Sequence, residues 1–278
     1  MVTACYSMGL RMVGTYTGPL FRLCRSSDGA ERDFGFASGG DFLDTDAVDA
    51  WTADGGTITV VKLYDQTGNG HDLYEINGSG PMYSPAGING LPSGRFDGRT
   101  QYWAVPEAIV SLIGAGQSVG VFGVIHRDDR DDRGTVIAWG NDGSSTPFCQ
   151  VRATNRTGSG EVANQLKVQV RDDAGQLKCP AGGIVGDGVN MIGAVIHRSK
   201  ATAWVNGLPV VLGADIEVGP TTLTNCRVGV MKLGSAHADF FRGELSELMI
   251  FGQLPDPARV NQIGGALQNI RGFPWGGR

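Results

Sequence analysis

Ala201-Thr202-Ala203-Trp204-Val205-Asn206-Gly207-Leu208-Pro209-Val210-Val211-Leu212 decides the fold. Two short runs of apolar and β-branched residues flank Asn206-Gly207. That dipeptide supplies two consecutive residues at ease with positive φ, so it closes a type I′ hairpin. The run Met191 to His197 sits just upstream and pairs with Ala201 to Val205. Further outward the same grammar repeats. Strand candidates are Ile58 to Tyr64, Ser118 to Ile125, Thr135 to Trp139, Leu166 to Arg171, Arg227 to Met231 and Glu244 to Phe251. Turn residues separate them at short intervals, the pattern of a sandwich or barrel. Leu166 to Arg171 alternates apolar and polar residues, which predicts one buried face and one wet face.

Composition agrees. Glycine accounts for 44 of 278 residues, about twice the usual ~7%. No Gly-X-Y period runs through it, so collagen is excluded. A content of 41% hydrophobic and 18% charged residues supports a sizeable core and excludes wholesale disorder. The net charge of -5 and the lack of a basic run argue against nucleic acid and against an anionic membrane surface as partners. No apolar stretch approaches the ~20 residues that span a bilayer. The first residues show no basic region followed by an apolar core, so no export signal is expected.

Two helices are expected. Val260, Ile263, Leu267 and Ile270 lie at helical spacing, with Asp256 as cap, Pro257 at the first position and Gly272 at the end. A weaker helix covers Asp44 to Trp51. A single domain over 1–272 with a tail over 273–278 is the simplest organisation. The tail's Phe273 and Trp275 suit either docking onto a partner or strapping the chain's own sandwich. Cys5, Cys24, Cys149, Cys179 and Cys226 are widely spaced without C-x-x-C, so reduced thiols are expected, with an intersubunit disulfide as the sharper reading. His71, His126, His197 and His237 form no ligand pair at short spacing, and neither metal nor cofactor is expected. The run Arg127 to Arg133 reads as a solvated hairpin tip, or as a calcium loop without EF-hand spacing.

Two regions resemble a known module. Tyr16-Thr17-Gly18-Pro19, Arg25-Ser26-Ser27-Asp28 and Tyr64-Asp65-Gln66-Thr67-Gly68-Asn69-Gly70 resemble, in that order, the start of the fungal α-L-arabinofuranosidase B catalytic domain and of related phage and bacterial proteins. Arg95 to Ile263 resembles a laminin-G-like, concanavalin A-like jelly roll. The resemblance implies an all-β sandwich of two curved antiparallel sheets. Within it Arg25, Asp28 and Asp65 suit a polar knot, and Asp65 and Asn69 suit acceptors for loop amides.

A retaining glycosidase needs two carboxyl groups about 5–5.5 Å apart. The resemblance implies a nucleophilic glutamate two residues after a Gly-Asn pair, preceded by adjacent cysteines. Here Gly140-Asn141 leads to Gly143, and the cysteines are missing. The implied acid/base aspartate falls within Val230 to Ser235, which holds no carboxylate before Asp239. Both positions therefore read as empty. The expectation is a non-catalytic phage virion protein: a capsid decoration, fibre or tail-tip subunit that contacts other virion proteins, itself, or a cell-surface glycan. Trp103, Tyr102 and Trp139 are candidate sugar platforms, with Asp97, Asn141 and Asp142 as polar partners. The plainer reading of each tryptophan is a place in the sandwich core. The alternatives are an extracellular carbohydrate-binding module and an arabinofuranosidase-like hydrolase using Asp142 and Asp239.

Overall fold

The computed structural model describes every residue except 1, 54, 115–118, 129–132, 155–161, 198, 253–256, 275 and 277–278. The first third holds β1 (Val2–Ser7), β2 (Phe21–Arg25), β3 (Glu31–Phe34), α1 (Thr45–Thr52), β4 (Ile58–Leu63), β5 (Leu73–Tyr74), β6 (Met82–Ile88) and β7 (Leu91–Asp97). The middle holds β8 (Trp103–Ala104), α2 (Glu107–Gly114), β9 (Val119–Arg127), β10 (Arg133–Gly140), β11 (Phe148–Thr154), β12 (Leu166–Arg171), β13 (Leu177–Lys178) and β14 (Ala181–Gly182). The last third holds β15 (Val189–His197), β16 (Lys200–Val205), β17 (Leu208–Asp215), β18 (Asn225–Val228), β19 (Met231–Leu233), β20 (Ala236–Ala238), β21 (Arg242–Phe251) and α3 (Pro257–Arg271).

Every strand pairing among the described residues is antiparallel. Sheet one runs β17-β16-β15-β9-β21, and β21 then pairs with β1 along one half and with β7 along the other. Sheet two runs β3-β2-β4-β5-β8-β18-β10-β11-β12, with β13 and β14 at its edge. The sheets join through β6, which pairs with β7 and touches β4 at Thr59–Met82. The jelly-roll expectation holds. Asn206 and Gly207 take φ of 51° and 79°, as the I′ turn requires.

Period two explains the core. Leu23, Leu63, Trp103, Val228, Ile137, Val151 and Val168 project from sheet two onto Val121, Ile125, Leu245, Leu248, Ile192 and Ala203 of sheet one. The outer face of sheet one is apolar as well. Phe122, Val124, Met191, Met249 and Phe251 pack there beneath Val260 and Leu267 of α3, and Phe273 completes the cover at 2% exposure. Gly276 N–H donates to Asn206 O at 2.8 Å. The described part of the tail is thus a strap on its own sandwich. Gly272 ends α3 at φ 73°.

Several expectations change. Lys167 and Gln169, on the face of β12 predicted to be wet, are buried. Arg25 bonds Asp28 at 2.6 Å and Trp51 O at 2.7 Å. Asp65 lies apart, accepting from Cys5 N at 3.0 Å and Thr67 Oγ1 at 2.7 Å. The single polar knot is therefore two separate ones. Asn69 donates its Nδ2 to Thr3 O at 2.9 Å rather than accepting. Helix α1 starts where predicted, with Asp44 Oδ1 accepting from Ala47 N. All five cysteines are free thiols, and Cys5, Cys149 and Cys226 are buried. Residues 129–132 of the charged run, and Asp256, lie outside the described residues.

Candidate active site

The outer face of sheet two is polar. One row crosses it in register: Asp33, Arg22, Lys62, Tyr74, Ala104, Arg227, Ala138, Gln150 and Gln169. These residues alternate with core residues, so they share the face away from the core. The β19–β20 hairpin lies over the β10–β11 end of the row. Met231 joins Ala138 and Phe148 in a small apolar cluster, with Leu233 packed against it. Asp239, at the end of the hairpin, accepts from Arg152 Nη1 at 2.9 Å.

Beyond the ends of β10 and β12 the loops gather around two carboxylates. Asn141 directs Nδ2 to Thr222 O at 2.7 Å, and its Oδ1 accepts from Gly143 N at 2.6 Å. Asp142 N–H donates to Thr224 Oγ1 at 2.9 Å. The Asp142 carboxylate accepts from Asn225 Nδ2 at 3.2 Å and pairs with Lys232 Nζ. Asp173 accepts from both Thr222 N and Thr222 Oγ1 at 2.9 Å. Thr222 thus fixes Asp173 while Thr224, two residues on, fixes Asp142. Asp172 holds the 219–224 loop in place, accepting from Gln176 N and Gly219 N, each at 2.7 Å. Desolvation pushes its carboxyl up, but these amides outweigh it and hold it below the usual carboxylate range.

Asn225 is 3% exposed, and its Oδ1 has no hydrogen-bond partner among the described residues. A buried unmatched acceptor costs free energy in a folded chain. Here it sits beside the Asp142 carboxylate. Among the described residues no group of three metal-ligating side chains occurs.

The sequence candidates divide. Asn141 and Asp142 are part of this cluster. Asp239 is not: its carbonyl accepts from Thr135 N near the start of β10, whereas Asp142 follows the strand's end. Seven residues at ~3.3 Å each put the two on the order of 20 Å apart, so they cannot act as a pair. Trp103 and Trp139 are fully buried, with Nε1 donating to Val60 O and Ile109 O. No indole face reaches a sugar, and both serve the core. Asp97 closes its own turn through Arg99 N, Thr100 N and Gln101 N. Tyr102 is half-buried and stacks on His237, with centroids 4.9 Å apart. Burial, then Lys232 and Arg227, lower the His237 pKa.

Asp173, Thr222, Asn225 and Lys232 escaped the sequence reading. Asp172-Asp173 does stand directly after the alternating strand 166–171, the one visible signal. Nothing in one dimension shows that this strand end meets the loop after Gly140.

The model of the family described as α-L-arabinofuranosidase B, catalytic, matches residues 2–144. An α-L-arabinofuranosidase B of Emericella nidulans is 33% identical over 94 residues, 34% of this chain and 17% of the relative. A probable α-L-arabinofuranosidase B of Aspergillus fumigatus is 31% identical over 119 residues, 43% of this chain and 21% of the relative. The matched segments are thus about a fifth of those relatives' length. The crystal structure of an arabinofuranosidase complexed with arabinofuranosyl-α-1,2-xylobiose superposes with a TM-score of 0.72 at 15% identity, covering 97% of this chain and 63% of that one. A mutant α-L-arabinofuranosidase soaked with 4-nitrophenyl α-L-arabinofuranoside gives 0.70 at 14% identity, with the same coverage. The shared fold extends across the sandwich. These matches overturn the expectation of a non-catalytic phage virion subunit and of a virion location. That expectation rested on the empty positions 143 and 230–235, the missing adjacent cysteines and the lack of an export signal.

Proposed function

The chain belongs to the α-L-arabinofuranosidase B catalytic family, and from that premise we propose that it is a glycoside hydrolase that releases α-L-arabinofuranosyl groups. The site is the loop cluster beyond β10 and β12. The observation that carries the reading is that the family fold brings two carboxylates, Asp142 and Asp173, to one loop. Hydrolysis of a glycosidic bond needs two such groups, one to protonate the leaving oxygen and one to attack or to activate water. Lys232 and Asn225 orient Asp142, and the two Thr222 donors orient Asp173, so neither must be ordered when substrate arrives. We place this activity outside the cell, where arabinose-bearing polymers occur.

The test is release of 4-nitrophenol from 4-nitrophenyl α-L-arabinofuranoside. Asp142→Asn and Asp173→Asn should each lower kcat by about 100-fold or more, with folding unchanged by circular dichroism. Added azide should restore turnover in the variant that lacks the nucleophile. Native protein that releases no 4-nitrophenol would refute the hydrolase reading.

A further inference from the structure

We propose that the open part of sheet two's outer face, from β3 to β8, binds the main chain of a neutral polysaccharide and leads it toward the loop cluster. This part of the face spans five strands in register, about 19 Å at ~4.8 Å per strand. It carries an exposed tyrosine, Tyr74, and two half-buried ones, Tyr64 and Tyr102. Tyr74 is 45% exposed, so its ring is accessible for stacking on a sugar face. Tyr64 is held rigid: its hydroxyl donates to Asp33 at 2.8 Å and Lys62 Nζ lies 4.5 Å from its ring centre.

Charge selects the occupant. Arg22 pairs with Asp33 at 2.7 Å, and Lys62 pairs with Asp72 at 2.8 Å. Glu31 also lies 3.8 Å from Arg22, so both cations are paired and the face offers many hydrogen-bonding groups without an excess of positive charge. Nucleic acid or an acidic polymer would need unpaired cations. A neutral glycan needs flat rings for its C–H faces and polar edges for its hydroxyls, and both are present. The row continues through Ala104 to Arg227, next to Asn225 and so to Asp142. A main chain along the tyrosines would thus bring its side branches to the loop cluster. The choice of an arabinose-bearing polymer rests on the hydrolase reading, whereas the binding itself does not.

The experiment is affinity electrophoresis through gels containing soluble arabinoxylan, with dextran gels as the control. Native protein should be retarded by arabinoxylan alone. Tyr74→Ala should weaken retardation about three- to tenfold, and Tyr74→Trp should preserve it. The same Tyr74→Ala protein should hydrolyse 4-nitrophenyl α-L-arabinofuranoside as the native protein does, while its KM on arabinoxylan rises by a similar factor. Equal retardation of native and Tyr74→Ala protein, or no retardation of native protein, overturns the proposal. Retardation that depends on Tyr74 in a protein that releases no 4-nitrophenol upholds the binding face and refutes only the hydrolase reading.

Discussion

The two outer faces of the sandwich have met opposite fates. On sheet one, Phe122, Val124, Met249 and Phe251 point outward and are sealed by α3 and Phe273. On sheet two, Arg22, Lys62, Tyr74, Asn225 and Arg227 occupy the equivalent outward positions. Both faces obey the same period of two. What differs is the chemistry of the alternate residues, and this decides whether a face becomes a second core or a working surface. The sealed face also holds a charge pair. Arg271 of α3 places Nε 3.0 Å from both oxygens of Glu247 on β21, and neither side chain touches solvent. Ser7 and Ser246 donate to the same carboxylate at 2.9 and 2.6 Å. The open face has its own pair, Lys232 and Asp142, with the Asp142 side chain 48% exposed.

That contrast is sharpest where the pairs are broken. Arg271→Met leaves Glu247 buried without its cation and should destabilise the protein by about 3–5 kcal/mol, read from the urea midpoint. Lys232→Met on the open face should cost less than about 1 kcal/mol while lowering turnover of the aryl arabinofuranoside. Equal losses would mean that the Arg271 pair is not sealed as the structure shows. Next in size, Met249→Ala should cost about 2–5 kcal/mol by opening a cavity beneath α3. Since Asp142 and Asp173 are untouched, activity of the surviving folded fraction should be unchanged.

The fold was legible because its signals are local. The Asn206-Gly207 turn, the short apolar runs and the capped helix α3 each occupy a few residues. Helix α2 was missed although Ile109, Val110, Leu112 and Ile113 follow Pro106, because so short an apolar run reads equally as a strand. The burial of Lys167 and Gln169 was illegible for a different reason. Alternation reports which residues share a face but not what covers it. The active-site reading failed in the same way. Asn141 and Asp142 were found by their distance from Gly140 along the chain. Asp173 reaches them only through the 219–224 loop, a contact between segments about fifty residues apart. Trp103 and Trp139 looked like sugar platforms because composition does not distinguish an inward ring from an outward one.

The smallest expected effect concerns acid, and it again separates the faces. On the open face, the hydrogen bond from Arg22 holds the Asp33 carboxyl below its usual range, against an opposing push from desolvation. A carboxyl whose folded pKa is depressed adds stability at pH values above its unfolded pKa, near ~3.9. That stability is lost as the pH falls through the lower folded value. The Asp33 side chain is 39% exposed, so solvent screening limits the contribution to under about 1 kcal/mol. Asp33→Asn should therefore be less stable than native protein at pH 6, and the gap should close toward pH 2. Urea midpoints measured across that range give the answer. A gap that stays constant with pH would show that Asp33 acts through neutral hydrogen bonds, and the paired-charge description of the open face would fail at its outermost strand.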